Sequence, residues 1–327
     1  MKCSLIAAIA ASLACAIPAF AGGGPIVPPA DRYTVTELLS GNPVAVNTRG
    51  DVAYDSFGSV EVQSGVSIAR VTQITEPNAQ TTYAGFLNDS GAVVGLYDGS
   101  VFGSYFNSPD ADIPSVDGQN GYVTGLANDG TMLVNEYSRG TSKSLLIKDG
   151  VRKPIRTPRN VSLYNLSPNG LWAAGNDGKG CVVETALNRN LTVSVSHGVT
   201  GYAVGVKNDG SVFGMSYLPD GTGHAVLWTN GKAKDLTPGL IAGYASLRGI
   251  NAAGTAIIDM YIMGPDYNGQ YVPSVLLEGK TQLLNDLVHA DGLVIQQFSG
   301  INEAGRIICS GTYYGYSVGV ILDPVAK

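Results

Sequence analysis

Residues 201–214 read GYAVGVKNDGSVFG: two short apolar runs joined by Asn208-Asp209-Gly210. Related stretches occur at 82–95 (TYAGFLNDSGAVVG), 121–134 (GYVTGLANDGTMLV) and 247–258 (LRGINAAGTAII). Asn and Gly tolerate the positive φ of tight hairpins, and an Asn side chain can bond its own backbone, so each stretch predicts two strands and a turn. The turn glycines Gly50, Gly91, Gly130, Gly170, Gly210, Gly254 and Gly305 follow one another at intervals of 41, 39, 40, 40, 44 and 51 residues. A period near 40 residues marks a repeat architecture.

The unit is all-β. In the fifth repeat, strands are expected at 202–207, 211–217, 224–229 and 232–236, the last pair joined at Asn230-Gly231. The third and sixth repeats divide in the same way. No stretch of 10 to 15 residues beyond the leader carries a 3.6-residue apolar period, so crossover helices are not expected. Seven units of four antiparallel strands predict a seven-bladed β-propeller, which stacks its sheets face to face and leaves few exposed edges. Small residues on the first strands (Ala84, Gly85, Gly125, Ala203, Gly205) suit a crowded axis. The last repeat stops near Pro324 without a fourth strand, while residues 33–38 offer an unattached one. That strand is expected to complete the last blade from outside. An open solenoid is the alternative.

The opening MKCSLIAAIAASLACAIPAFAGGG has the form of a signal peptide: Lys2, a short apolar run, then Ala19-Phe20-Ala21 as a cleavage site. Residues 1–21 are expected to be removed, 22–32 to form a flexible lead, and 33–327 to form one propeller domain, secreted, periplasmic or at the cell surface. A lipoprotein signal ending at Cys15 is the rival reading, weakened by Ser12 three places earlier. No other segment is long and apolar enough to span a bilayer. The chain has 20 basic and 26 acidic residues, net charge −6, with no dense Lys/Arg cluster. This argues against a nucleic-acid partner. Beyond the leader, Cys181 and Cys309 fall in blades that are not neighbours, so two free, largely buried thiols are expected.

The segment HAVLWTNGKAKDL (224–236), with VKNDGSVFG before it, SGINEAGRIICSG near the C-terminus and the closing VGVILDPV, resembles the HAF-type extracellular repeat. Repeats five to seven match well, whereas most others lack the His and Trp. The resemblance implies an exported propeller and brings no catalytic residues with it.

Motifs for chemistry are sparse. Gly315-Tyr316-Ser317-Val318-Gly319 matches a nucleophile elbow, but the following residues read as strand where the motif needs a helix. His197, His224 and His289 have no ligand spacing, and His224 reads as part of the repeat scaffold. His289, with Asp286 and Asp291, lies in a long connection expected to be a solvated loop. Asp110-Ala111-Asp112 and Asp266-Tyr267-Asn268-Gly269 are incomplete calcium loops. No metal or cofactor is called for.

Tyrosines are placed more suggestively. Tyr83, Tyr122 and Tyr202 each lie eight residues before a turn glycine, and Tyr164 and Tyr244 fall within two residues of that register. There the chain enters its innermost strand, so these five tyrosines could line one mouth and stack on sugar rings or grip a peptide. Packing between blades is the plainer alternative. Long insertions at 261–273 and 285–298 mark a second candidate face. The expected function is non-catalytic binding of a glycan or protein, with a polysaccharide hydrolase or lyase as the alternative.

Overall fold

The computed structural model describes residues 32–64, 71–74, 79–99, 103–108, 111–116, 121–138, 141–157, 161–176, 181–184, 189–191, 200–263 and 269–325. The expected leader with Cys15, His197, Asp110 and residues 266–268 lie outside them, as does the side chain of Cys181.

The described residues are almost wholly strand. After β1 (Tyr33–Leu39), the first sheet holds β2 (Asn42–Val46), β3 (Val52–Ser56), β4 (Ser59–Gln63) and β5 (Val71–Ile74). The second holds β6 (Ala79–Leu87), β7 (Val93–Gly99), β8 (Gly103–Ser108) and β9 (Ala111–Val116). The third holds β10 (Gly121–Leu126), β11 (Met132–Ser138), β12 (Thr141–Lys148) and β13 (Val151–Pro154). The fourth holds β14 (Ser162–Leu166), β15 (Trp172–Asn176), β16 (Cys181–Glu184) and β17 (Arg189–Leu191).

An eight-stranded sheet follows. One half is β18 (Thr200–Val206), β19 (Val212–Tyr217), β20 (Gly223–Thr229) and β21 (Lys232–Asp235). The other is β22 (Tyr244–Ile250), β23 (Ala256–Met263), β24 (Gly269–Leu277) and β25 (Lys280–Leu283). A single parallel bridge, Gly223 to Tyr244, joins the halves. The last sheet is β26 (Leu293–Ile301), β27 (Ile307–Tyr313), β28 (Tyr316–Pro324) and β1, which pairs antiparallel with β28 from Tyr33↔Pro324 to Leu39↔Gly319.

Turn chemistry explains the hairpins. Each first-to-second strand connection ends on a glycine at positive φ, such as Gly50 at 87° and Gly210 at 80°. In the first, Gly50 N–H donates to Asn47 O and Asn47 N–H to Asp51 O, a type I turn followed by a left-handed residue. Several third-to-fourth connections are two-residue turns with both residues at positive φ, including Asn230-Gly231 at 50° and 74°.

Among the described residues, the apolar side chains form no central core. They cluster between successive sheets: Ala53, Val60 and Val62 against Val93; Ala92 and Val94 against Val123 and Met132; Leu133 and Leu146 against Leu163 and Ala173. Ala174 meets Ala203 and Trp228; Ala225 meets Leu247 and Ile258; Ile257 and Val275 meet Ile295, Phe298 and Ile307. A further cluster joins Ile308 and Ile321 of the last sheet to Val52 and Tyr54 of the first. Each fully buried Leu or Ile contributes about 1.5–3 kcal/mol, so the stabilisation is spread over these interfaces. Close approach also explains Gly125, where an added Cβ would lie 2.6 Å from Leu166 Cβ of the next sheet. Gly205 answers to its own hairpin instead, its place being taken by the Phe213 ring 2.2 Å from a hypothetical Cβ.

Hydrogen bonds link the hairpins from sheet to sheet. Asn47 Nδ2 donates to Asn88 O (3.0 Å) and Asn88 Nδ2 to Ala127 O (3.1 Å). Asn128 N–H donates to Pro168 O (2.7 Å), Asn169 Nδ2 to Asn208 O (3.0 Å), and Ala252 N–H to Glu303 Oε2 (2.6 Å). Asn302 Nδ2 then donates to Asn47 O at 3.0 Å, across 255 residues. Arg306 lies at the same junction: Nε and Nη2 grip Asp323 at 2.7 and 2.8 Å, and Nη1 reaches Gly50 O at 2.8 Å. Thr36 of β1 donates to the same carboxylate at 2.6 Å. Burial raises the Asp323 pKa, but the hydrogen bonds from Arg306 and Thr36 and the guanidinium charge outweigh it and hold the carboxyl below its usual range.

Part of each insertion in the sixth repeat is strand where a loop was expected from sequence, while residues 287–292 remain a connection. Residues 261–263 pair with 269–271 as an extension of the β23–β24 hairpin. Residues 293–298 belong to β26, and a short 3-10 turn at Leu284–Asp286 precedes them. Tyr261, Tyr271 and Val294 are all strand formers, and the pairing satisfies backbone groups that a loop would leave to solvent.

Candidate functional site

The strands that lead each sheet are β2, β6, β10, β14, β18, β22 and β26. Each packs against the leading strand of the sheet before and after it, and β26 packs against β2. All seven carry a β-bulge at the same place, six residues before the turn glycine: Val44, Gly85, Thr124, Tyr164, Val204, Arg248 and Ser299. A bulge strengthens the local twist and turns one residue out of the ladder.

The five sequence-predicted tyrosines fall into two groups. Tyr83, Tyr122 and Tyr202 share one register and are 40–43% exposed; Tyr164, the bulge residue of β14, is 48% exposed. Tyr202 also meets the Tyr217 ring edge-on, with centroids 6.1 Å apart. Tyr244 belongs elsewhere. It stacks on Tyr261 (centroids 4.9 Å apart) and its hydroxyl meets the Tyr271 hydroxyl at 2.6 Å. That hydrogen bond, with burial and the neighbouring phenols, pushes its pKa up to about 12. Tyr261 and Tyr271 come from the extended hairpin that was read as loop, so sequence reasoning missed this cluster. At the register of Tyr83, the fourth and sixth repeats place Ser162 and Ser246, both buried.

Of two further recurrences, one was read from sequence only in part and the other not at all. Asn47, Asn88, Asn251 and Asn302 do not have positive φ. Each is buried and accepts on Oδ1 from the backbone four residues on. For Asn47, Asn88 and Asn302 the amide then donates to a neighbouring hairpin, as described above. The second recurrence stitches second strands to the next leading strand. Asp55 accepts from Ala84 N–H at 2.7 Å, Asn135 donates to Leu163 O at 2.6 Å, and Asn176 exchanges both bonds with Ala203. Burial raises the Asp55 pKa, and the Ala84 N–H offsets part of that rise.

Other candidates resolve into structure. His224 is 3% exposed; its Nδ1 meets Asp235 Oδ2 at 2.8 Å and its Nε2 meets Thr222 Oγ1 at 3.2 Å, while Thr222 donates to Asp220 at 2.6 Å. The chain Asp220–Thr222–His224–Asp235 ties β20, β21 and the preceding turn together. Ser317 sits in β28 opposite Thr312, after a turn at Tyr314-Gly315, so the elbow motif is a hairpin arm. Cys309 is a free thiol with no exposure, and burial pushes its pKa up. Among the described residues no three His, Cys, Asp or Glu side chains gather to hold a metal, and no helix is long and apolar enough to cross a membrane. The leading strands contain neither Asp nor Glu.

No protein-family profile and no curated protein sequence matches the chain. Among solved structures, it is similar to the β-propeller domain of the Trilobed protease from Pyrococcus furiosus, which has an open velcro topology: TM-score 0.59, 9% identity, 90% of this chain and 95% of that one. It is also similar to the WD40 β-propeller domain of Doa1, with TM-score 0.51 and 14% identity over 89% of this chain and 97% of that one. A weaker likeness, TM-score 0.47 at 11% identity, links 77% of this chain to 63% of TolB from Acinetobacter baumannii, so the chain spans less than two thirds of that protein. The fold is a β-propeller, and at these identities the likeness extends to the fold alone.

Proposed function

We propose that the chain is an exported, seven-bladed β-propeller, closed by β1 in the last blade, that binds a glycan at or outside the cell surface without chemical turnover. The two halves of the eight-stranded sheet count as separate blades in this reading, because one bridge joins them. The bond from Asn302 back to Asn47 and the shared cluster of Ile308, Ile321 and Val52 support closure. Export rests on the leader-like residues 1–21. The HAF-like segments agree with it.

The observation that carries the binding reading is the placement of Tyr83, Tyr122, Tyr164 and Tyr202 on leading strands with rings exposed. Aromatic faces in that position suit sugar rings. A polysaccharide hydrolase would need two carboxylates about 5–9 Å apart beside the substrate, and the leading strands supply none. The test is a glycan array probed with the protein, wild type beside Tyr122→Ala/Tyr202→Ala. Binding to a defined set of glycans, lost in the double variant, is expected. Silence across the array, with a protein partner recovered instead, overturns the glycan assignment.

A further inference from the structure

Arg248 is the only charged residue in the seven leading strands. It occupies the bulge of β22, and its side chain is 45% exposed. The other six bulges hold neutral residues, so the backbone there does not call for arginine. Its Nε donates to Asp259 Oδ2 at 2.7 Å, and Asp259 is 10% exposed. Asp259 lies five residues after its turn glycine, as Asp55 and Asn135 do in their repeats. Those two reach across to the backbone of the next sheet, whereas Asp259 holds the arginine of its own sheet.

We infer that Arg248 is the anion anchor of this propeller's central face, and that its ligand is a glycan bearing carboxylates, a uronic-acid chain. The inference rests on the glycan-binding reading above. A contact through Nε alone fixes the plane of the guanidinium and leaves both terminal nitrogens, with four N–H donors, for a ligand. Two terminal N–H groups side by side match the two oxygens of a carboxylate. The neighbouring leading strands present exposed, uncharged partners: Gln297 and Ser299 of β26 on one side, Tyr202 of β18 on the other. A tyrosine face beside a single cation suits a ring with one acidic substituent better than a fully charged phosphate chain, which needs several cations.

The experiment is calorimetric titration of the protein with oligogalacturonate, oligoalginate and hyaluronan fragments, and with methyl-esterified oligogalacturonate as the neutral match. Wild type should prefer a free acid over its ester by at least tenfold, with affinity falling as salt rises. Arg248→Gln should lower acid affinity about ten- to a hundredfold, the range for a charge-assisted contact, and remove the preference. Arg248→Gln/Asp259→Asn, which leaves no unpaired buried carboxylate, should behave alike with an unchanged melting temperature. Arg248→Lys should recover part of the affinity. Equal binding of acid and ester, indifferent to Arg248→Gln, overturns the anchor and leaves glycan binding standing. Binding of neither overturns both. Binding of a peptide C-terminal carboxylate in place of all the uronates overturns the ligand class.

Discussion

Replacing Arg306 by Met tests how the two ends of the chain are held. The arginine is 11% exposed and makes three hydrogen bonds, two to Asp323 of β28 and one to Gly50 O of the first hairpin. Methionine fills most of the stem's volume and supplies no donor. It leaves Asp323 with Thr36 alone and Gly50 O without its guanidinium. Breaking a buried charge pair costs about 3–5 kcal/mol. Asp323 is 28% exposed, so solvent recovers part of that, and about 2–3 kcal/mol is expected. At about 2.1 cal/mol/K of unfolding entropy per residue, that is a fall in Tm of roughly 3–5 °C for a domain of this size. The assay is thermal unfolding followed by circular dichroism, with Arg49→Met as the reference. Arg49 also pairs with a carboxylate, Asp51, but is 53% exposed, and its loss should cost under about 1 kcal/mol. Acid titration adds a sign. The Asp323 pKa lies below its unfolded value, so its contribution is present above about pH 4 and is lost as pH falls through the folded value. Arg306→Met should therefore flatten the loss of stability below pH 4. A variant that melts with Arg49→Met and keeps the wild-type acid profile would refute the reasoning.

Other outcomes follow from the same contacts. His224→Gln should cost about 1–3 kcal/mol in urea unfolding, because Asp235 and Thr222 lose a shared buried partner; a neutral substitution would remove its structural role. Asn88→Ala, which deletes a link to Ala127 O and a cap on Ala92 N–H, should cost about 1–2 kcal/mol by the same measure. With Cys181 replaced by serine, Cys309 should resist a thiol reagent in the native state and react fully in denaturant, since it is buried and its pKa is raised. Rapid labelling of the folded protein would contradict that burial.

Much of the fold was legible because the turn glycines and apolar runs repeat with a period the eye can follow. The strands expected at 202–207 and 224–229 are β18 and β20 within two residues. What was not legible depends on neighbours far away in sequence. Asn47 and Asn302 do form their turns, as they looked to, but their amides also act between sheets, and a bond spanning 255 residues leaves no local mark. The bulges at Val44 and Arg248 are a register relation between two strands, visible only once both are paired. Residues 261–273 looked like an insertion because length beyond the period reads the same whether it is loop or longer hairpin. The tyrosine register was legible for Tyr83, Tyr122 and Tyr202. For Tyr244 the sequence did not show its ring partners, Tyr261 and Tyr271, which lie on that extension.

Amide hydrogen exchange of β1 tests the closed ring most directly. If residues 34–38 complete the last blade, those of their amides that donate to β28 exchange only on global unfolding, as slowly as the β27–β28 ladder. Exchange of those amides at the rate of an unstructured chain, while the β27–β28 ladder stays protected, would mean that the ends are not joined.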